Sequence, residues 1–240
     1  MHFIRITLIL SLFLFSTACV QAVRPPHSVN SDEGLLALVF SNIVTSGTTP
    51  VAPSSPCNPC KIYVTTQIYN GNLGGVTGAD DKCMTNSNKP PDGKTYKAMI
   101  LDVTNRRACF YGDCLTDPSP DVDKINWVLY PNTDYVRPDG TPIFTSNANA
   151  IIILQPGSPG ATTLSNPISS ITPIAPNVWT GMTAGWTNSA SVCDFGAGPW
   201  TDFSTSGSGA WGDSGNITQG AIFINTKSCD QNSALYCVEQ

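Results

Sequence analysis

The chain has 240 residues, 12 Lys and Arg against 17 Asp and Glu, a net charge of −5 and only 12% charged residues. So acidic and sparsely charged a sequence lacks the electrostatic footprint of a nucleic-acid binder and has no polybasic patch for heparin-like polymers. Of its two histidines only His27 lies beyond the first eighteen residues, which leaves no imidazole for Ser-His-Asp or Cys-His chemistry in the folded part; no enzyme is expected.

The first residues, 1–5, form a short, weakly basic start, and Ile6–Phe15 supply an apolar run too short to span a bilayer as a helix. Two readings of the next residues stay open. An ordinary signal peptidase can cut after Ala18 or Ala22. Alternatively, Ser16-Thr17-Ala18-Cys19 resembles a bacterial lipobox, with serine where leucine is usual, and Cys19 becomes the lipidated first residue. Setting Cys19 aside leaves eight cysteines, an even number, which favours the second reading. Two or three acyl chains on Cys19 would then anchor the protein in the outer membrane, on the bacterial cell surface. Residues 1–18 are thus expected to be a lipoprotein signal peptide.

Residues 19–56 are rich in Ser, Thr and Pro and read as a tether, interrupted by an apolar stretch at 34–40 that can form a short helix docking on the domain. Residues 57–240 fit one domain. Strands are expected at 61–66, 96–102, 127–130, 220–225 and 235–239, and 150–154 is short enough for a buried strand. One helix start is legible, Thr77 to Asp80, spaced as a capping box. Asp80 and Asp81 then stabilise the helix dipole and do not act as paired carboxylates. Long Gly-, Pro-, Ser-, Thr- and Asn-rich stretches at 131–176 and 181–215 are expected to be loops restrained by disulfides.

Eight cysteines behind an export signal read as a disulfide framework. Cys109 and Cys114 can close a tight loop. Cys57 and Cys60 form a Cys-x-x-Cys, open to a thiol-oxidoreductase reading, but a strand-like run comes next where a redox pair needs a helix N-terminus. A four-cysteine zinc site from Cys57, Cys60, Cys109 and Cys114 has workable ligands, although an exported location favours bridges. Asp113, Asp117, Asp121 and Asp123 make an acidic loop, read as solvated. Asn216-Ile217-Thr218 is a glycosylation sequon without meaning in most bacteria.

Gly71–Cys83, with a cysteine just after a glycine-rich turn, Val178-Trp179-Thr180-Gly181, Cys193, and the closing pair Cys229 and Cys237 together resemble endostatin, a C-type-lectin-like domain. The chain is most similar to the bacterial members, the leptospiral endostatin-like surface lipoproteins, over about 61–239. The resemblance implies an α+β, loop-rich mixed sheet with one or two helices. It also implies the nested pairing Cys83–Cys237 and Cys193–Cys229. Endostatin's zinc site uses histidines that the folded part of this chain lacks, and in 224–229 the calcium-binding triplet of sugar-binding relatives keeps Asn225 but has Thr226 in place of the acid. No cofactor or metal is therefore expected.

The resemblance further implies an adhesin for host matrix proteins such as laminin and fibronectin, and for some members plasminogen or complement factor H. A calcium-independent lectin is the alternative. Trp179, at the family's buried position, and Trp127 are expected to fill the core, whereas Trp186, Trp200 and Trp211, set among small polar residues, are candidate ligand contacts. Lys89, Lys94, Lys97 and Lys227 are candidate contacts for lysine-capturing kringles.

Overall fold

The computed structural model describes residues 56–102, 104–109, 114–115, 124–170 and 176–240. The signal peptide, Cys19, nearly all of the tether with its apolar stretch, and Asp113, Asp117, Asp121 and Asp123 lie outside the described residues.

The fold is α+β, mostly sheet, with one α-helix among the described residues. Cys60–Val64 (β1) is buried almost throughout because it lies in the interior of a five-stranded sheet of order β2-β8-β1-β3-β4. Its neighbours are Tyr236–Glu239 (β8), antiparallel, and Asp134–Val136 (β3), parallel, so the sheet is mixed. Tyr96–Ala98 (β2) and Pro142–Thr145 (β4) are the outer strands. A second, antiparallel sheet joins Asn177–Trp179 (β5), Ser208–Asp213 (β6) and Asn225–Ser228 (β7). Main-chain bonds from Trp179 N to Ala234 O (3.0 Å) and from Leu101 N to Thr180 O (2.8 Å) fasten the two sheets together.

The helix Gly75–Thr85 (α1) buries Val76, Ala79 and Cys83, one stripe at helical spacing. Its start corrects the capping-box expectation: Gly74, left-handed at φ 81°, is the N-cap, and no side chain caps the helix. Nor does Asp80 sit in the first turn, as the dipole reading required. It lies on the packed side of the helix, where Oδ1 accepts Ala98 N (2.8 Å) and both oxygens receive the Arg106 guanidinium at 2.8 and 2.7 Å. Arg106 is wholly buried, and also donates to the carbonyls of Ala98 (2.6 Å) and Asn126 (2.9 Å). A buried guanidinium is tolerable because these acceptors replace its hydration.

Four sequence-expected strands are shortened or absent, each for a local reason. After Ala98 the chain of β2 crosses to the second sheet through the Leu101–Thr180 bond. In 127–130 side chains occupy backbone groups that a ladder would use: Tyr130 N donates to Tyr135 Oη (2.6 Å), and Gln240 Nε2 donates to Val128 O (3.1 Å). Ala150, Ile151, Ile152 and Leu154 are buried but irregular, and the carbonyls of Ala150 and Ile152 accept the indole N–H groups of Trp127 and Trp186. In 220–225 the chain makes a 3-10 turn, Gln219–Ala221, and strand begins only at Asn225. There Tyr236 Oη and Thr180 Oγ1 take the carbonyls of Ala221 and Ile222.

Among the described residues there are four disulfides: Cys57–Cys60, Cys83–Cys237, Cys109–Cys114 and Cys193–Cys229. The Cys83–Cys237 bridge ties α1 to β8, and Tyr63 Oη donates to the Cys83 carbonyl beside it. The two local bridges use the sulfurs that a four-cysteine zinc site would need, which overturns that reading.

Near the turn ahead of β2, Lys61 Nζ meets Asp92 Oδ2 at 2.9 Å. Burial pushes the Asp92 carboxyl upward, but hydrogen bonds from Lys61, the Lys94 amide and Tyr96 outweigh it and bring the pKa from 3.8 to about 2. A depressed carboxyl stabilises the fold above its unfolded pKa and loses that contribution as pH falls through the folded value. Stability is therefore expected to decline between about pH 4 and pH 2, and Asp92→Asn to flatten that slope in urea titrations at each pH.

Candidate recognition surface

The strand pair β1–β8 defines two ends of the domain. The chain enters at Cys60, whose neighbour Lys61 donates its amide to Glu239 Oε2 (3.0 Å). From there β1 and β8 run together, and their pairing continues past the strands through Thr65 N to Leu235 O (3.0 Å) and Tyr69 N to Ser233 O (2.8 Å). At the far end Gly71 N reaches Cys229 O (2.7 Å), beside the inner disulfide. A Cβ on Gly71 would fall 2.3 Å from Cys193 Sγ, so only glycine lets the two segments meet so closely.

The inner bridge fixes the segment after Cys193. The carbonyl of Cys193 accepts the amides of Thr201 (3.3 Å) and Asp202 (3.0 Å), and Cys193 N donates to Ser208 O (2.8 Å). Two short loops therefore leave from one junction. Asp194 Oδ1 accepts Gly196 N (2.9 Å) and Gly198 N (3.1 Å) in the first, and Asp202 Oδ1 accepts Ser204 N (2.9 Å) in the second. The tips carry Phe195 and Phe203, both exposed.

Beside this junction lies one face of the second sheet. Trp179, Trp211 and Asn225 are cross-strand partners and share that face. Lys227 crosses Gly209 on the same face and places Nζ 4.8 Å from the Trp179 ring and 5.4 Å from the Trp211 ring. A cation over indole faces is attracted by the ring quadrupole. Desolvation lowers the pKa of Lys227, and its ammonium donates to Asn232 O at 3.0 Å. Tyr69, whose carbonyl accepts Trp179 Nε1 (2.8 Å), carries Lys82 over its own ring at 5.4 Å.

The sequence-derived contacts divide unequally. Trp186 and Trp200 are corrected: both are buried, and their indole N–H groups donate to Ile152 O and Leu101 O at 2.8 Å, so neither ring is presented to a ligand. They are core aromatics like Trp179, which Trp200 meets at 5.9 Å between centroids. Trp127 is half-buried. Trp211 and Lys227 share the face of the second sheet. Lys89, Lys94 and Lys97 lie in or just ahead of β2, in the other sheet, and the structure does not bring them to Lys227. Lys89 sits 5.4 Å over Tyr96, Lys97 donates to Asn126 Oδ1 (3.1 Å), and Lys94 is exposed. Asn225 Oδ1 accepts the neighbouring Thr226 amide (2.8 Å), and among the described residues no three His, Cys, Asp or Glu side chains converge on a metal position.

Phe195 and Phe203 were not singled out from sequence. The available signal was an Asp-Phe pair repeated within one glycine- and serine-rich stretch.

Residues 66–218 match a family model described as a protein of unknown function, DUF1554. No curated protein matches the chain.

Proposed function

We propose that this chain, which belongs to the DUF1554 family of proteins of unknown function, is an outer-surface lipoprotein adhesin. In this reading an endostatin-like, C-type-lectin-like domain stands on a tether anchored through Cys19. It binds host matrix proteins, laminin and fibronectin, and can also take plasminogen and complement factor H.

One observation carries the reading. The β1–β8 pair separates Cys60 from the junction at Cys193, so the loops that carry the exposed Phe195 and Phe203 leave from the opposite end of that pair. The nested Cys83–Cys237 and Cys193–Cys229 bridges, which the resemblance implies, support the endostatin-like assignment. A surface of rigid aromatics on restrained loops suits protein recognition, because little side-chain freedom is lost on binding.

The test is solid-phase binding of the purified, oxidised domain to laminin, fibronectin, plasminogen and factor H, with EDTA and with full reduction as separate arms. Binding to at least one matrix protein is expected, unchanged in EDTA and abolished on reduction. Absence of binding to all four proteins, or retention after complete reduction, overturns the reading. Mass spectrometry of the mature N-terminus tests the anchor: the expected start is a diacylated or triacylated Cys19.

A further inference from the structure

Phe195 and Phe203 are the two most exposed large apolar side chains among the described residues, at 69% and 62%. Neither is an isolated surface hydrophobe. Each comes directly after an aspartate, and the two Asp–Phe pairs leave one junction, where Asp202 N bonds to the Cys193 carbonyl at 3.0 Å. The loop amides hold both carboxylates in place. Gly207 makes room for the second: a Cβ there would lie 1.8 Å from Asp202 Oδ2.

Among the described residues neither carboxylate meets a cation in an ion pair, unlike Asp92 with Lys61 and Asp80 with Arg106. Between Pro176 and Ser233 the chain carries Asp194, Asp202, Asp213 and Asp230 against a single cation, Lys227. That cation is engaged over Trp179 and Trp211.

A loop tip that carries an exposed phenyl next in sequence to a fixed carboxylate suits a side chain with a long alkyl stem and a positive head. The ring takes the stem and attracts the cation, and the carboxylate supplies the opposite charge. The same charge opposes contact with an anionic lipid surface or an acidic peptide. We propose that the Asp194–Phe195 and Asp202–Phe203 loop tips dock a lysine- or arginine-bearing segment of a protein partner. This rests on the adhesin reading for the partner being a protein, and deepens it by naming the chemistry that the partner presents.

The experiment uses the intact oxidised protein and fluorescence anisotropy with a labelled lysine–serine repeat peptide. A glutamate–serine peptide and phosphatidylcholine vesicles are the alternative probes. The lysine peptide is expected to bind, more weakly as salt rises, the glutamate peptide not to bind, and any vesicle binding through the Cys19 acyl chains to be independent of Phe195 and Phe203. Asp194→Asn with Asp202→Asn keeps the Oδ1 acceptors of the loop amides and gives up the Asp202 Oδ2 acceptor of the Ser204 hydroxyl; it is expected to weaken binding about tenfold, as is Phe195→Ser with Phe203→Ser. Asp134→Asn with Asp139→Asn, which removes equal charge on and just after β3, is expected to leave binding unchanged.

An equal loss in that control, no loss in the phenylalanine variant, preference for the glutamate peptide, or phenylalanine-dependent vesicle binding each overturns the proposal. If matrix proteins bind but ignore both double variants, the docking site falls and the adhesin reading stands. If the lysine peptide binds in the expected pattern while no matrix protein does, the site stands and the adhesin reading falls.

Discussion

Asp80→Ala is expected to be the most damaging single substitution of a polar residue in the domain, costing about 3–5 kcal/mol. It strands the Arg106 guanidinium, whose side chain has no exposure at all, with only two main-chain carbonyls for company. The reciprocal change separates electrostatics from packing. Arg106→Met keeps much of the buried volume and leaves behind Asp80, whose side chain is 20% exposed and can recruit water. It also retains the Ala98 amide as a donor to Asp80. Its cost is therefore expected to be smaller by about 1–2 kcal/mol. Urea denaturation of both variants reads the difference directly. Equal losses, or a greater loss in Arg106→Met, would show that packing and not the uncompensated charge dominates.

The second large effect belongs to the outer bridge. Cys83 and Cys237 are 154 residues apart in sequence, and the chain-entropy relation puts the contribution of such a cross-link near 5 kcal/mol, before native strain is subtracted. The Cys109–Cys114 bridge, five residues apart, has about 2 kcal/mol on the same relation. Cys83→Ala with Cys237→Ala is thus expected to lower Tm by roughly 10–20 °C, and Cys109→Ala with Cys114→Ala by less than half as much. Alanine is the right replacement because Cys83 and Cys237 are fully buried, and serine would add unpaired hydroxyls. Calorimetry of the two double variants would refute the ordering if the local pair proved the more costly. The expected loss is comparable with the whole stability of many domains, which are held by roughly 5–15 kcal/mol.

How much of the fold was legible in the sequence depends on how local each signal is. The ends of the domain were readable: β1 and β8 lie within one or two residues of the expected strands because β-branched and aromatic residues alternate with few competing contacts. The middle was not. In 127–130 and 220–225 the right residues for a strand are present, yet Tyr135, Gln240, Tyr236 and Thr180 reach their backbone groups from distant segments. No local pattern records those partners.

The helix start misled for a related reason. The spacing of Thr77 and Asp80 fits a capping box, but the buried guanidinium of Arg106 takes both carboxylate oxygens, and a left-handed glycine starts the helix earlier. The tryptophans were ambiguous in kind. Glycine-rich surroundings suit an exposed ring, but they equally let backbone approach a buried one. Trp200 is the second case: a Cβ on Gly181 would fall 2.9 Å from its Cζ2. Lys227 was legible as a lysine of interest but not as one lying across two indoles, since that contact depends on cross-strand register.

The position of β1 in its sheet has a mechanical consequence. A tug on the chain ahead of Cys60, resisted at the loops of Phe195 and Phe203, acts lengthwise along that strand. Its bonds to β8 and β3 run crosswise to the tug and share the load on both flanks, so they must shear together instead of unzipping in turn. With β8 joined to the helix by the Cys83–Cys237 disulfide, part of such a load passes into a covalent cross-link.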